Sequence, residues 1–164
     1  MVYIHEKAYP EHLLMHRDLK PDNVGFAADG RVLLFDFGLA KLVPRGGRDA
    51  HAVEMTGKTG SARYMAPEVA LSLPYNEKAD VHSFAMILYQ LLSHEKPFSG
   101  MDLEMLYTDV IYGGQRPKVP RQWPASMRDL LRDCWHPDPD CRPPFCAVLR
   151  RIERALAESG EGAR

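Results

Sequence analysis

With 164 residues, 45% of them hydrophobic and 26% charged, the chain has the material for one folded unit with a core of its own. Lys+Arg 21 against Asp+Glu 22 leaves a formal net charge of -1, which argues against the global basic field that gathers nucleic acid or anionic membrane. The longest apolar run, FAMILYQLL at 84–92, is far short of the roughly 20 residues that cross a bilayer. Cys134, Cys141 and Cys146 are odd in number and form no CxxC pair, against both a disulfide framework and a thiolate zinc site. MVYIHEKAYPEH has no basic, apolar leader, so the reducing cytoplasm, or the nucleus, is the expected setting.

In chain order, the first element is a strand at LLM, just before the charged stretch HRDLKPDN at 16–23. His12 and His16 flank it four residues apart, but a metal site there lacks a third ligand. Asn23 to Ala27 and Val32 to Phe35 read as two strands joined by the turn ADG, where Gly30 takes positive φ. Ala40 to Arg63 shows no apolar periodicity; it carries Lys41, Arg45, Arg48, Lys58 and Arg63 against Asp49 and Glu54, and reads as a long exposed basic loop.

The second half is helical. Phe84, Ile87, Leu88, Leu91 and Leu92 mark the buried face of a central helix behind an Asn76 cap. Leu103, Leu106, Tyr107, Val110 and Ile111 repeat the spacing, as do Met127, Leu130, Leu131, Cys134 and Trp135 behind a capping box of Ser126 and Asp129. Phe145, Val148, Leu149, Ile152 and Leu156 form the last stripe, with Arg150, Arg151 and Arg154 facing water.

Three motifs in order make this sequence similar to the eukaryotic protein kinases. His16, Arg17, Asp18, Leu19 and Asn23 match HRDLxxxN, DFG stands at 36–38 and APE at 66–68. GSARYMAPEV and DLLRDCWHPDPDCRPPF further resemble the tyrosine-kinase-like group. The resemblance implies a mainly α fold: the C-terminal lobe of a kinase domain over residues 1–157, a helical bundle whose small β-hairpin carries the catalytic and metal-binding loops. It further implies an absent N-terminal lobe and a flexible tail at 158–164.

Phosphoryl transfer needs an aligned nucleophile and offset phosphate charge more than covalent help from the protein. By resemblance, Asp18 orients the hydroxyl of a protein Ser or Thr, Lys20 sets its ammonium at the transferred phosphate of ATP, and Asn23 and Asp36 hold Mg²⁺. Lysine at 20 is the serine/threonine pattern. Arg17 is expected to grip a phosphorylated loop, with Thr56, Thr59 and Ser61 as candidate acceptors. Glu68 is expected to pair with Arg142, Asp80 to brace the catalytic loop, His16 to pack near Phe37, and Asp22 to be a solvated turn residue.

The sequence also departs from that pattern. Gly25 stands where a bulky apolar residue normally lies beneath the adenine, His82 where tryptophan is common, and Ala85 where glycine is common. No GxGxxG occurs, so a nucleotide has a floor and no roof. Two functions from different classes follow: a serine/threonine kinase seen as its catalytic lobe, or a non-catalytic interaction module that keeps the motifs. A nucleic-acid binder has only the loop cations behind it, without interleaved aromatics.

Overall fold

Four short strands form around the charged stretch: β1 (His12–Met15), β2 (Val24–Phe26), β3 (Val32–Leu34) and β4 (Lys41–Pro44). The computed structural model describes residues 1–45 and 61–161, with side chains through 158. β2 and β3 make the expected antiparallel hairpin, Val24 opposite Leu34 and Phe26 opposite Val32, closed by Gly30 at φ 83°. β1 pairs antiparallel with β4, Met15 opposite Lys41.

That second ladder corrects the expectation of a loop starting at Ala40. Residues 41–44 are too few to show a period, yet Val43 packs with Leu13 against the cluster around Met15, and the pairing follows from that contact. Residues 46–60 of the expected loop, Thr56 and Thr59 among them, lie outside the described residues.

The helices are α1 (Pro67–Ala70), α2 (Lys78–Ser93), α3 (Leu103–Met105), α4 (Ala125–Cys134) and α5 (Phe145–Glu161). A π-helical segment opens the chain at Tyr3–Lys7, and another, Leu106–Tyr112, continues α3. α2 is central and is buried on almost every side from Ala79 to Tyr89. Its N-cap is Glu77, and the expected cap Asn76 stands one residue earlier, its Oδ1 accepting the Lys78 N–H at 3.0 Å. Against it pack Leu130, Leu131, Cys134, Trp135, Phe145 and Val148. A second cluster joins Met15 of β1 to Met65, Val69, Tyr75, Ala79 and Ile111.

Two further expectations need correction. Leu91 is 65% exposed and Leu156 67%, with Leu92, Leu103 and Leu149 exposed as well. Periodicity identifies a face, but these residues lie beyond the cover of the neighbouring elements, and α2 ends in the left-handed His94 shortly after Leu91. The capping box also fails. Pro124 is the N-cap of α4, so Ser126 lies inside the helix, while Asp129 accepts from Arg132 at 2.9 Å. The backbone of α5 is helical to Glu161, through the strong helix formers Ala155, Leu156 and Ala157, which leaves the proposed domain boundary at 157 untouched.

All three cysteines are free thiols, and burial pushes that of Cys134 up to about 12. Among the described residues, no helix is long and apolar enough to cross a membrane.

Glu68 and Arg142 form the expected buried pair. Arg142 donates to both carboxylate oxygens, at 2.6 and 2.9 Å, and also to the carbonyls of His136 and Lys78. Close by in α2 lies His82, fully buried, its two ring nitrogens without hydrogen-bond partners among the described residues. Burial first, then the charges of Arg142 and Arg116, hold its pKa well below the ordinary 6.5, and the nearby Tyr64 main chain offsets this only in part.

Glu68→Gln strands the buried guanidinium and is expected to cost about 3–5 kcal/mol in urea unfolding. A second expectation concerns acid. Folded His82 stays neutral, whereas the unfolded chain takes up a proton below 6.5. Stability should therefore fall as the pH drops below that value, with His82 adding a slope of up to about 1.4 kcal/mol per pH unit. His82→Phe should flatten the profile between pH about 6.5 and 5.5, as read from unfolding midpoints.

Candidate active site

Asp80, in the first turn of α2, has its carboxylate inside the charged stretch. Oδ1 accepts the Arg17 N–H at 2.8 Å; Oδ2 accepts the His16 N–H at 2.8 Å and His5 Nε2–H at 2.8 Å. These bonds hold Arg17 at φ 70°, a left-handed conformation that costs a non-glycine residue free energy. His16, fully buried, joins the charged stretch to the DFG segment. Its Nε2–H donates to the Phe35 carbonyl at 3.0 Å, and its ring lies 4.9 Å from that of Phe37, as expected.

This turn places Asp18, buried except for an edge of its carboxylate, at the centre of a cluster. Lys20 Nζ donates to Oδ2 at 2.6 Å and Asn23 Nδ2 to the same oxygen at 3.3 Å. Ser61 donates to Oδ1 from its N–H at 2.9 Å and its Oγ–H at 3.2 Å, and Ser61 Oγ accepts from Lys20 at 3.1 Å. The hydrogen bond to Asp18, helped by the fields of Asp18, Asp22 and Asp36, raises the Lys20 pKa and keeps its ammonium charged. Asp36 is exposed at φ 55°, its Oδ1 accepting the Gly38 N–H at 3.2 Å.

Asp18, Lys20, Asn23 and Asp36 are thus brought to one place. Asn23 gives its amide N–H to Asp18, so the amide oxygen, the atom a hard cation takes, has no hydrogen bond among the described residues. With the exposed carboxylate of Asp36 this fits the oxygen chemistry of Mg²⁺ completed by phosphate and water. Asp22 is an exposed turn residue, as expected.

Ser61, one of the candidate phosphate acceptors, is half-buried here and holds Asp18 and Lys20 in register. The guanidinium of Arg17, the residue expected to grip a phosphorylated loop, lies over the buried Tyr75 ring, 5.7 Å from the centroid.

A cleft of about 360 Å³ opens beside this cluster, with Lys20, Ser61, Tyr64, Gln90 and Lys96 among its walls. Tyr64 donates to Gln90 Oε1 at 2.7 Å. Arg63, expected as a solvated loop cation, donates to the carbonyls of Pro97 at 2.6 Å, Met101 at 3.1 Å and Phe98. Sequence reasoning missed both roles; the position of SAR directly ahead of YMAPE was the available signal.

A buried aspartate paired with a lysine, an asparagine and aspartate pair suited to a hard cation, and an adjoining cleft define the class of a protein kinase domain. The chain belongs to the protein tyrosine and serine/threonine kinase family, whose pattern matches residues 1–152. It is 34% identical over 164 residues to serine/threonine-protein kinase STY17 of Arabidopsis thaliana, covering 100% of this chain and 27% of that protein. Serine/threonine-protein kinase VIK of the same plant is 39% identical over 158 residues, 94% of this chain and 35% of that protein. Dual specificity protein kinase shkE of Dictyostelium discoideum is 35% identical over 147 residues, 89% and 20% respectively. The chain therefore spans about a third or less of the length of these relatives. The family in general uses ATP and Mg²⁺.

Asp80→Ala removes three bonds that hold the catalytic stretch and should cost about 3 kcal/mol or more. The His16 and Arg17 amides should lose hydrogen-exchange protection before the α4 core does.

Proposed function

We propose that residues 1–157 form the C-terminal, catalytic-loop lobe of a cytoplasmic serine/threonine protein kinase that transfers the γ-phosphate of ATP to a protein Ser or Thr hydroxyl. The observation that carries this reading is the Asp18 carboxylate, held by Lys20 and Ser61 at the edge of a cleft large enough for a peptide side chain.

In this reading a substrate hydroxyl enters from the cleft and donates its hydrogen bond to Asp18, which aligns the oxygen and accepts the proton as the new bond forms. Ser61 fixes the Asp18 rotamer, so the carboxylate need not reorganise during transfer. Lys20 sets its charge beside both the acceptor and the transferred phosphate. Asn23 and Asp36 hold the Mg²⁺, which when bound screens the phosphate charge. Lys20 supports Ser/Thr as acceptor, and the names of the relatives STY17 and VIK agree, whereas that of shkE indicates dual specificity.

A second reading, an interaction module, is favoured by one observation. Phe26, Val32, Phe35, Phe37, Leu39 and Leu42 are all exposed on β2, β3, β4 and the segment between β3 and β4.

The test is phosphate transfer from Mg-ATP to Ser, Thr and Tyr peptides by the native protein. Asp18→Asn should lower kcat by about 10²–10⁴-fold, and Asp36→Asn should abolish transfer. The 164-residue chain alone should transfer none, because its sequence has no glycine-rich loop to cover the phosphates. Transfer by this chain alone would overturn the two-lobe requirement. Native protein that transfers nothing, yet binds a partner equally well with Asp18→Asn, would make the interaction module the correct reading.

A further inference from the structure

Arg63 stands two residues after Ser61, yet its side chain bonds a distant segment. Its guanidinium donates to the main-chain carbonyls of Pro97 at 2.6 Å, of Phe98, and of Met101 at 3.1 Å. Among the described residues these carbonyls are its hydrogen-bond partners, so the cation fixes backbone where an ion pair would fix a side chain.

The segment it grips is strained. Phe98 is buried at φ 55°, a left-handed conformation that costs a non-glycine residue free energy, and its carbonyl also accepts the Met101 N–H at 3.1 Å. A planar fork of N–H donors set on three carbonyls of one turn demands that all three stay in place together.

At its other end Arg63 lies inside a coil that opens with Ser61. The Ser61 carbonyl accepts the Tyr64 N–H at 2.9 Å and the Met65 N–H at 3.1 Å, which closes residues 61–65 into one unit. The same Ser61 gives its N–H and its Oγ–H to Asp18 Oδ1 and accepts from Lys20. Burial of Tyr64 and Met65 sets where the coil lies, but apolar contact is non-directional. The Tyr64 bond to Gln90 is a single point about which the coil can still turn. The three directional bonds of Arg63 supply the second point and remove that rotation.

We infer that Arg63 is a positioning residue for phosphate transfer: it ties the Ser61 coil to the Pro97–Met101 turn and so keeps Asp18 and Lys20 in register. The inference rests on the kinase reading proposed above and extends its machinery to the loop that follows α2. In this role Arg63 touches no reacting atom and acts through Ser61.

The test is steady-state transfer from Mg-ATP to a Ser peptide by the native full-length protein, in a double-mutant cycle of Arg63→Ala and Ser61→Ala. Arg63→Ala should lower kcat by about 10- to 100-fold. Its KM for Mg-ATP should hold, because the backbone bond between Phe35 and Asn23 that fixes the cation corner is untouched. The double variant should lose no more than the worse single variant. Arg63→Lys keeps the charge without the fork and should fall between Ala and wild type; it carries the comparison if Arg63→Ala does not fold. Amide exchange should quicken at Ser61 and Met101 together.

An unchanged kcat overturns the inference. So does a rise in peptide KM alone, which would make Arg63 a peptide contact, or a matching rise in both KM values, which would mark general loosening. Additive losses in the cycle also overturn it, because Arg63 would then not act through Ser61. Each of these outcomes leaves the kinase reading standing, since the wild-type protein is active in all of them. Wild-type protein that transfers no phosphate sinks both.

Discussion

The carboxylate of Asp80 is the interaction on which the site depends. It belongs to the first turn of the central helix, whose position is set by apolar packing, and it binds the backbone of His16 and Arg17, whose conformation apolar packing does not set. Through it the precision of a close-packed core passes to the main chain of a loop whose own buried residues, His16 and Leu19, do not fix the direction of its amides. The strained Arg17 backbone, the His16 ring bridging to Phe35 and the inward Asp18 side chain all follow from where those two amides are held. The geometry of the candidate site and the stability of the core are therefore one problem in this chain.

The departures from the family pattern show local compensation. Gly25 alone reads as a loss of nucleotide contact, yet the neighbouring strand supplies an aromatic ring to the same space. His82 is compensated far less: it is a polar ring in an apolar position, with two guanidinium groups near it and only the Tyr64 main chain to offset them. At the first, a neighbouring ring fills the space that the missing side chain leaves. The second leaves a standing cost in the core, which other packing around α2 offsets.

Much of this was legible before any coordinates. The cluster of Asp18, Lys20 and Asn23 was legible because their close spacing along the chain keeps them together, and α2 and α4 because burial follows the helical period. The missed features are those decided by meetings between distant residues. Ser61 reaches Asp18 across 43 positions and Arg63 reaches Pro97 across 34, and no local pattern encodes either pairing. Leu91 and Leu156 lie on apolar faces whose period is sound, but a period cannot say which neighbour covers the face. Phe35 meets Gly25 diagonally across a hairpin, a contact that becomes visible only once the register is known.

The Glu68–Arg142 pair also bears on how the chain is made. Its partners are separated by 74 residues, so during synthesis the carboxylate leaves the ribosome on the order of ten seconds before the guanidinium exists. Until then α1, whose first turn carries Glu68 of the APE motif, cannot bury its charge and must remain hydrated. Closure of this part of the fold therefore waits for Arg142 to arrive, and a nascent chain halted before it would present an open, half-built structure to the cell's quality-control machinery.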